Sequence, residues 1–117
     1  MPTLSDSDRH QGPCPARQAA QVLTGPWSVP VVGRLARGEA RFGRLRSQTT
    51  GPDGAPVSSK VLTDTLRRLT EAGVVARRER GAAVSYRLTE RGRALVPLLD
   101  ALADWADAPP GPGREAV

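Results

Sequence analysis

The sequence predicts a mainly helical α+β domain, and three observations support that fold class. Apolar residues recur at helical spacing in several segments, two short strand-like segments flank Gly81, and the last periodic segment is again helical. The predicted order is three or four helices, a hairpin and a final helix, and 117 residues suit one domain. We place that domain at residues 13–107, between mobile tails at 1–12 and 108–117 that show no apolar face.

The helices before the hairpin begin at proline and serine signals. Pro15 suits the first turn of a short, alanine-rich helix. A second helix begins near Trp27 or Ser28, because Pro30 would break the interior of a longer one. Residues 40–48 then supply one or two further helical turns.

The strongest helix signal follows a loop. Residues 49–58 contain two prolines, two glycines and an Asp-Gly step, a composition that ends helices and forms exposed loops. From 58 to 72, Leu62, Leu66 and Leu69 repeat at the spacing of one helix face, and Ser58 or Ser59 can cap its start. This segment is therefore predicted to be an amphipathic helix packed on the core.

The C-terminal part of the predicted domain is a hairpin and a helix. Gly81 separates two short segments that alternate or carry β-branched residues, which predicts an antiparallel pair of strands. Thr89 caps a final helix over residues 90–106, and Pro97 is expected to kink it. The whole layout is that of a winged helix-turn-helix with a two-stranded wing and a C-terminal dimerisation helix.

The charge is basic and is carried by arginine. The formal net charge is +5, and a single lysine stands among the 17 basic residues. Arginine presents a planar fork of donors that matches phosphate oxygens and guanine edges, so a polyanionic partner is indicated. Codon bias in a GC-rich genome is an alternative source of the arginine excess.

The basic residues concentrate on the helix at 58–72 and on its neighbours. A step of about 100° per residue turns the leucines inward and the polar residues outward, so that this helix can enter a major groove by its N-terminal end. The alternative is that these residues form only the solvated face of an amphipathic helix. The predicted DNA-binding residues are Ser58, Ser59, Lys60, Thr63, Asp64, Arg67 and Arg68, with Arg44 and Arg46 before them and Arg78 and Arg80 on the hairpin.

Asp64 is the one acidic residue on the predicted face. A carboxylate near phosphates is repelled, so Asp64 either accepts a hydrogen bond from cytosine or pairs with Arg67 or Arg68 along the helix. The pairing is favoured, since it would fix the direction of an arginine.

Other functional classes find little support. The one cysteine, Cys14, excludes an intrachain disulfide and a zinc site of Cys and His ligands, and indicates a cytoplasmic protein. His10 is the only histidine, and neither a catalytic triad nor a glycine-rich phosphate loop is visible. We therefore predict no enzyme activity, no cofactor and no metal, and the absence of an apolar run of 18 residues predicts no membrane span.

The final helix predicts self-association. Its apolar stripe is broader than a small core can bury, and the alanine-rich first helix offers a second surface for a symmetry mate. The alternative is that the stripe only covers the domain's own core. A homodimer would place two recognition helices about 34 Å apart, one turn of DNA. The predicted dimerisation residues are Leu95, Leu98, Leu99, Leu102 and Trp105.

The chain also resembles the HxlR-type regulators, a branch of winged helix-turn-helix proteins related to the MarR group. The resemblance covers residues 14–106 and rests on the Cys-Pro opening, Trp27, and the stretches RFGRLR, KVLTDTLRRLTEAGVV and SYRLTERGRALVPLLDALADWA. It implies a cytoplasmic, usually dimeric regulator that represses or activates genes by binding an inverted repeat of double-stranded DNA. Whether a small-molecule inducer is a further partner stays open.

Two features depart from the resemblance, and two rival functions stay open. The loop at 49–57 is about five residues longer than in similar proteins, and the hairpin is about three residues shorter.

One rival is a redox or electrophile sensor: Cys14 opens the first helix, whose N-terminus favours a thiolate, and some similar proteins use a cysteine near this position. An ordinary, partly buried thiol is the simpler interpretation. The other rival is a winged-helix module that binds protein or RNA.

Overall fold

The computed structural model describes residues 14–51 and 54–113 and confirms the predicted fold class. Helices precede and follow a small antiparallel sheet, as in a winged helix. The predicted tail at 1–12 lies outside the described residues. The elements are α1 (Pro15–Val22), α2 (Ser28–Leu35), β1 (Ala40–Arg41), α3 (Phe42–Gln48), α4 (Ser59–Glu71), β2 (Val75–Arg80), β3 (Ala83–Leu88), α5 (Glu90–Arg93) and α6 (Val96–Asp107).

The sheet has one strand more than the hairpin. Its order is β1-β3-β2, and both pairings are antiparallel. Gly81 turns between β2 and β3 with a φ of 60°, a left-handed conformation that glycine adopts readily. The two residues of β1, Ala40 and Arg41, open the segment predicted to be helical, and α3 begins only at Phe42. A strand of two residues is too short to show a periodicity in the sequence.

The core lies between α2, α3, α4 and the sheet. Leu45, Leu62 and Leu69 are fully buried, so the leucine stripe of α4 faces inward as its spacing predicts. Neither α1 nor α6 contains a buried residue. The buried apolar residues of the described ranges are Val31, Val32, Leu35, Ala40, Leu45, Val57, Leu62, Leu66, Leu69, Val74, Val75 and Leu88.

The helix α4 is held at both ends. Its N-terminal amide at Val61 donates to the Ser58 hydroxyl over 3.2 Å, which is the predicted cap. At the other end, Gly73 has a φ of 76°, and Arg91 Nε donates to the carbonyl of Ala72 over 3.1 Å. The orientation of α4 therefore depends on both the loop before it and the residues after the sheet.

A close backbone approach joins α5 to the end of α4. Thr89 accepts a hydrogen bond from the amide of Gly92 over 3.0 Å, and its hydroxyl donates to the carbonyl of Gly73 over 2.5 Å. A Cβ on Gly92 would lie 2.1 Å from the carbonyl oxygen of Val74, so only glycine fits there. The start of the C-terminal region is thus packed directly on the segment that follows α4.

The prediction of a single kinked helix over residues 90–106 is wrong. The helix ends at Arg93, and α6 begins at Val96 with Pro97 in its first turn. Proline has no amide hydrogen to donate, and in a first turn that donor has no intrahelical partner in any case. A break before proline therefore costs less than a kink. Within 14–51 and 54–113, no helix is long and apolar enough to cross a membrane.

Candidate nucleic-acid interface

The exposed face of α4 carries five of the eleven residues predicted to bind DNA, namely Ser59, Lys60, Thr63, Asp64 and Arg67. Lys60 is exposed on the side away from the buried leucines and forms no hydrogen bond or ion pair within the described ranges. Ser59 is also exposed, and Thr63 directs its hydroxyl hydrogen to the carbonyl of Ser59 over 2.8 Å. Because the Thr63 oxygen still has free lone pairs, this edge of the helix presents acceptors, while Lys60 presents donors.

Asp64 forms an ion pair with Arg67, one of the two partners expected for it. The two residues are three apart, a spacing that places side chains side by side on a helix. Both side chains are largely exposed, so the pair adds little stability, about 0–1 kcal/mol. Its main effect is to direct the Arg67 guanidinium along the outer face of α4.

Arg68 does not join this face. Its Nη2 donates to the hydroxyl of Ser28, a buried residue at the start of α2, over 3.3 Å. One position along a helix changes the direction of a side chain by about 100°, which carries Arg68 from the Arg67 side to the edge facing α2. The Arg68 side chain stays exposed, and its hydrogen bond links α4 to the start of α2.

The hairpin arginines point to opposite sides of the sheet. Val75, Arg77 and Glu79 share the face that packs towards α4, because side chains alternate along a strand and Val75 is buried. Hydrogen bonds to Glu79 and Tyr86 raise the pKa of Arg77 above its ordinary value. The sequence grouped the hairpin arginines beside α4, but of the β2 arginines only Arg77 lies on that side.

Arg78 and Arg80 lie on the outer face of the sheet. Arg78 forms an ion pair with Glu39, with Nη1 and Oε1 3.4 Å apart. Arg80 is exposed next to the turn at Gly81 and borders a depression that also includes Glu39 and Arg41. The tip of the hairpin therefore presents Arg80 as a cation without an ion-pair partner among the described residues.

The two predicted arginines of α3 have different roles. Arg46 Nε donates to the carbonyl of Val57 over 3.2 Å, which ties α3 to the residue just before the cap of α4. Arg44 is exposed and borders a depression together with Arg34 and Arg41. Arg46 thus links α3 to the residues before α4, whereas Arg44 makes no such link and is exposed at the surface.

Sequence reasoning missed three arginines near α3. Arg34 donates to Oε1 of Gln48 over 2.6 Å, and Arg37 and Arg41 are exposed nearby. Burial, followed by repulsion from Arg37 and Arg44, lowers the pKa of Arg34 below its ordinary value. A signal was present, because five arginines occur between residues 34 and 46. They fall on three different elements, so no single helix face displayed them.

The residues predicted for dimerisation divide into two groups. Leu95 and Leu99 are partly buried and pack against the core of their own chain. Leu98, Leu102 and Trp105 remain 45%, 50% and 79% exposed. The interpretation that the whole stripe covers its own core therefore fits the first group and not the second.

The remaining predicted site residue is Cys14. It immediately precedes α1, is partly buried and forms no disulfide. Within the described ranges, no three His, Cys, Asp or Glu side chains lie close enough together to hold a metal ion.

The sequence comparisons agree with this geometry. The family of HxlR-like helix-turn-helix proteins matches residues 22–111. An HTH-type transcriptional regulator of Synechocystis sp. is 34% identical over 101 residues, which cover 80% of this chain and 71% of the relative. The resemblance found in the sequence motifs is thereby confirmed.

Solved structures are similar over nearly the whole fold. A transcriptional regulator of the MarR family from Enterococcus faecalis V583 superposes with a TM-score of 0.72 at 28% identity, covering 88% of this chain and 92% of that one. The redox regulator HypR in its reduced form has a TM-score of 0.68 at 27% identity, covering 80% and 90%. The chain therefore belongs to the HxlR-like helix-turn-helix family and is a transcriptional regulator, not an enzyme.

Proposed function

We propose that this protein is a cytoplasmic, sequence-specific repressor that binds an inverted repeat of double-stranded DNA as a homodimer. The observation that carries the proposal is the exposed N-terminal half of α4, where Lys60, Ser59 and Thr63 stand clear of the core. A helix end of this kind fits a major groove, where base edges offer both donors and acceptors.

The roles of the α4 residues follow from their chemistry. Lys60 suits a guanine acceptor or a phosphate, and the hydroxyls of Ser59 and Thr63 suit bases or phosphates. Arg67, directed by Asp64, lies farther along the same face and suits a phosphate at the rim of the groove. The base-reading part of the surface is therefore the first turn and a half of the helix.

The hairpin supplies a second contact beside the helix. Arg80 stands next to the turn at Gly81, and a cation at the tip of a wing can approach the backbone or the minor groove. Arg78 is paired with Glu39, so it contributes less free charge than Arg80.

The dimer rests on the two terminal helices. Leu98, Leu102 and Trp105 expose apolar surface on α6, and the alanines of α1 are exposed as well. A second copy of the chain would cover this surface and present a second α4, and two recognition helices bind a two-fold symmetric repeat. One recognition helix alone is a small interface for tight, specific binding.

Duplex binding by the full chain tests the proposal. The probe is the DNA upstream of its own gene, with a scrambled duplex and a double-stranded RNA of equal length as references, measured by fluorescence anisotropy at several salt concentrations. We expect tighter binding to the upstream duplex and a steep loss of affinity with salt. Equal affinity for upstream and scrambled DNA would contradict sequence-specific regulation, and a preference for RNA would favour an RNA-binding module.

A variant pair then assigns the specificity to α4. Lys60→Ala is expected to weaken binding to the specific duplex by about tenfold or more, since one good base contact contributes about 1–3 kcal/mol. Arg93→Gln removes one positive charge from an exposed position of α5, outside α4, the hairpin and the terminal helices, and serves as the matched control. If both variants lose the same affinity, the effect is one of net charge and the assignment to α4 is wrong.

Redox control through Cys14 is the second candidate. It is favoured by the similarity to a solved structure described as a redox regulator and by the position of the thiol at the start of α1. With no second cysteine in the chain, a switch requires a bridge between the Cys14 residues of two subunits, an adduct with a small thiol or alkylation by an electrophile. Diamide should release DNA from the wild type and not from Cys14→Ser; an equal response of both proteins would exclude it.

A further inference from the structure

Positive charge is concentrated where α2, the end of α3 and the loop at 49–57 meet. A depression of about 190 Å³ on this surface is bordered by Arg34, Arg37, Gln48 and Thr49. A neighbouring depression shares Arg34 and adds Arg44. We call Arg34, Arg37 and Arg44, together with Thr49, the α2–loop cluster.

The arginines of the α2–loop cluster lack carboxylate partners. Among the described residues, Arg34, Arg37 and Arg44 form no ion pair. Glu39, which borders the depression shared by Arg34 and Arg44, is already paired with Arg78. Burial is the largest cause of the lowered pKa of Arg34, and repulsion from Arg37 and Arg44 adds to it. Such an arrangement is stabilised when an anion binds.

Arg34 is held in a fixed position with donors to spare. Its Nε donates to Gln48 over 2.6 Å, and its Nη1 donates to the carbonyl of Gly38 over 3.2 Å. A guanidinium has five N–H donors, so these two bonds leave three donors without a partner among the described residues. A side chain fixed in this way loses little conformational freedom when it binds an oxyanion.

Thr49 gives an independent sign of a missing partner. The residue is 2% exposed, and its hydroxyl has no hydrogen-bond partner among the described residues. Buried hydroxyls are nearly always paired, so an unpaired one beside arginines points to a bound group that the chain alone does not supply. An oxyanion seated on Arg34 and Arg37 is a group of the right chemistry.

We propose that the α2–loop cluster binds a phosphodiester of the DNA backbone that flanks the bases read by α4. The two depressions are open and adjoin at Arg34, so the charge forms a band that suits a strand better than an enclosed small molecule. The loop at 49–57 ends at the cap of α4 and is tied to α3 through Arg46 and Val57. A phosphate held here would set the register of α4 in the groove.

This proposal rests on the proposed function but does not require a known operator. Phosphate contacts are independent of sequence, so a random-sequence duplex is the probe, and its affinity is measured from 50 to 200 mM salt. The double variant Arg37→Gln/Arg44→Gln is compared with Arg93→Gln, and circular dichroism checks that each is folded. Loss of one phosphate contact in each subunit removes two contacts from the dimer and should reduce the salt slope by about 1.8, which lowers the affinity at 50 mM relative to 200 mM by about twelvefold.

The outcomes separate the two proposals. If the double variant has the same salt slope as the wild type, the proposal that the α2–loop cluster binds a phosphodiester is wrong, and the proposal of DNA binding through α4 is unaffected. If the wild type binds the random duplex but shows no sequence preference, the proposal of a sequence-specific repressor is wrong, and the proposal for the α2–loop cluster is unaffected. If inorganic phosphate shifts the NMR signals of Thr49 and Arg34 side chains at millimolar concentration but the slope is unchanged, the cluster is a small-anion site and the duplex assignment is wrong.

Discussion

The centre of the molecule and its two terminal helices bury their apolar residues to very different degrees. Every buried apolar side chain in the described ranges lies between Val31 and Leu88. By contrast, α1 and α6 contain no buried residue, although α6 carries Leu98, Leu102 and Trp105 on one side. The centre contains all of the buried apolar side chains, although Val29 and Val61 stay exposed, whereas the terminal helices contribute only partly buried ones such as Val22 and Leu99.

This difference assigns two tasks to one small chain. The central part holds α4 at a fixed angle through its core, its cap and the contact of Arg91 with Ala72. The terminal helices present apolar surface that a second copy of the chain would cover, and exposed apolar patches of this kind mark interaction sites. Substitutions in the two regions should therefore affect different observables.

The largest difference is expected between two leucines. Leu69→Ala should reduce the free energy of unfolding by about 2–5 kcal/mol, because it leaves a cavity in the core. Leu102→Ala removes the same atoms from a side chain that is 50% exposed, and should leave the unfolding free energy of the monomer almost unchanged. Urea titration at low protein concentration measures both free energies of unfolding. Similar losses for the two variants would contradict the difference in packing between the centre and the terminal helices.

Two glycines sharpen the boundary of the central region. Gly92→Ala should destabilise the protein by about 1–3 kcal/mol, because its Cβ would overlap the carbonyl oxygen of Val74 and the backbone must shift. Gly33→Ala in α2 meets nothing within 4 Å and should stabilise the helix by about 0.5–1 kcal/mol. Opposite signs in thermal unfolding confirm the contact; two stabilised variants would show that α5 does not pack tightly there.

The oligomeric state of variants in α6 tests whether the terminal helices form the proposed dimer interface. Leu102→Ser/Trp105→Ser should weaken the dimer by about 1–2 kcal/mol or more, since large apolar side chains dominate the energy of interfaces. Asp100→Ser lies on the opposite side of α6 and is the control. Sedimentation equilibrium over a range of concentrations reads out the dissociation constant, and a wild type that is monomeric at micromolar concentration would refute the dimer.

The smallest effect concerns the cap of α4, where the fold and the proposed interface meet. Ser58→Ala removes the acceptor for the Val61 amide and should cost about 1 kcal/mol of unfolding free energy. Ser59→Ala removes a neighbouring hydroxyl that caps nothing, and should alter DNA affinity without altering stability. Chemical denaturation and anisotropy on the same samples distinguish the two, and a stability loss for Ser59→Ala would contradict the division of roles.

Much of the fold was accessible from local patterns. The leucine spacing predicted the buried face of α4 and Gly81 the turn of the hairpin, and of the two serines predicted as caps, Ser58 is the one that caps α4. The two-residue strand β1 and the break before Val96 were not predicted correctly. A strand that short leaves no periodic signal, and a kink and a break at proline look alike until the packing of the surrounding turns is known.

In the candidate site, too, some placements were predictable from local sequence patterns and others were not. Periodicity alone determined which residues of α4 face outward, because the side-chain directions of one helix follow from its own geometry. Only the tertiary structure decided that Arg68 turns to Ser28, that Arg78 lies behind the sheet, and that Arg34 and Arg37 stand beside Thr49. These placements depend on how separate elements pack and register against one another, and residues distant in sequence carry no local signal of that contact.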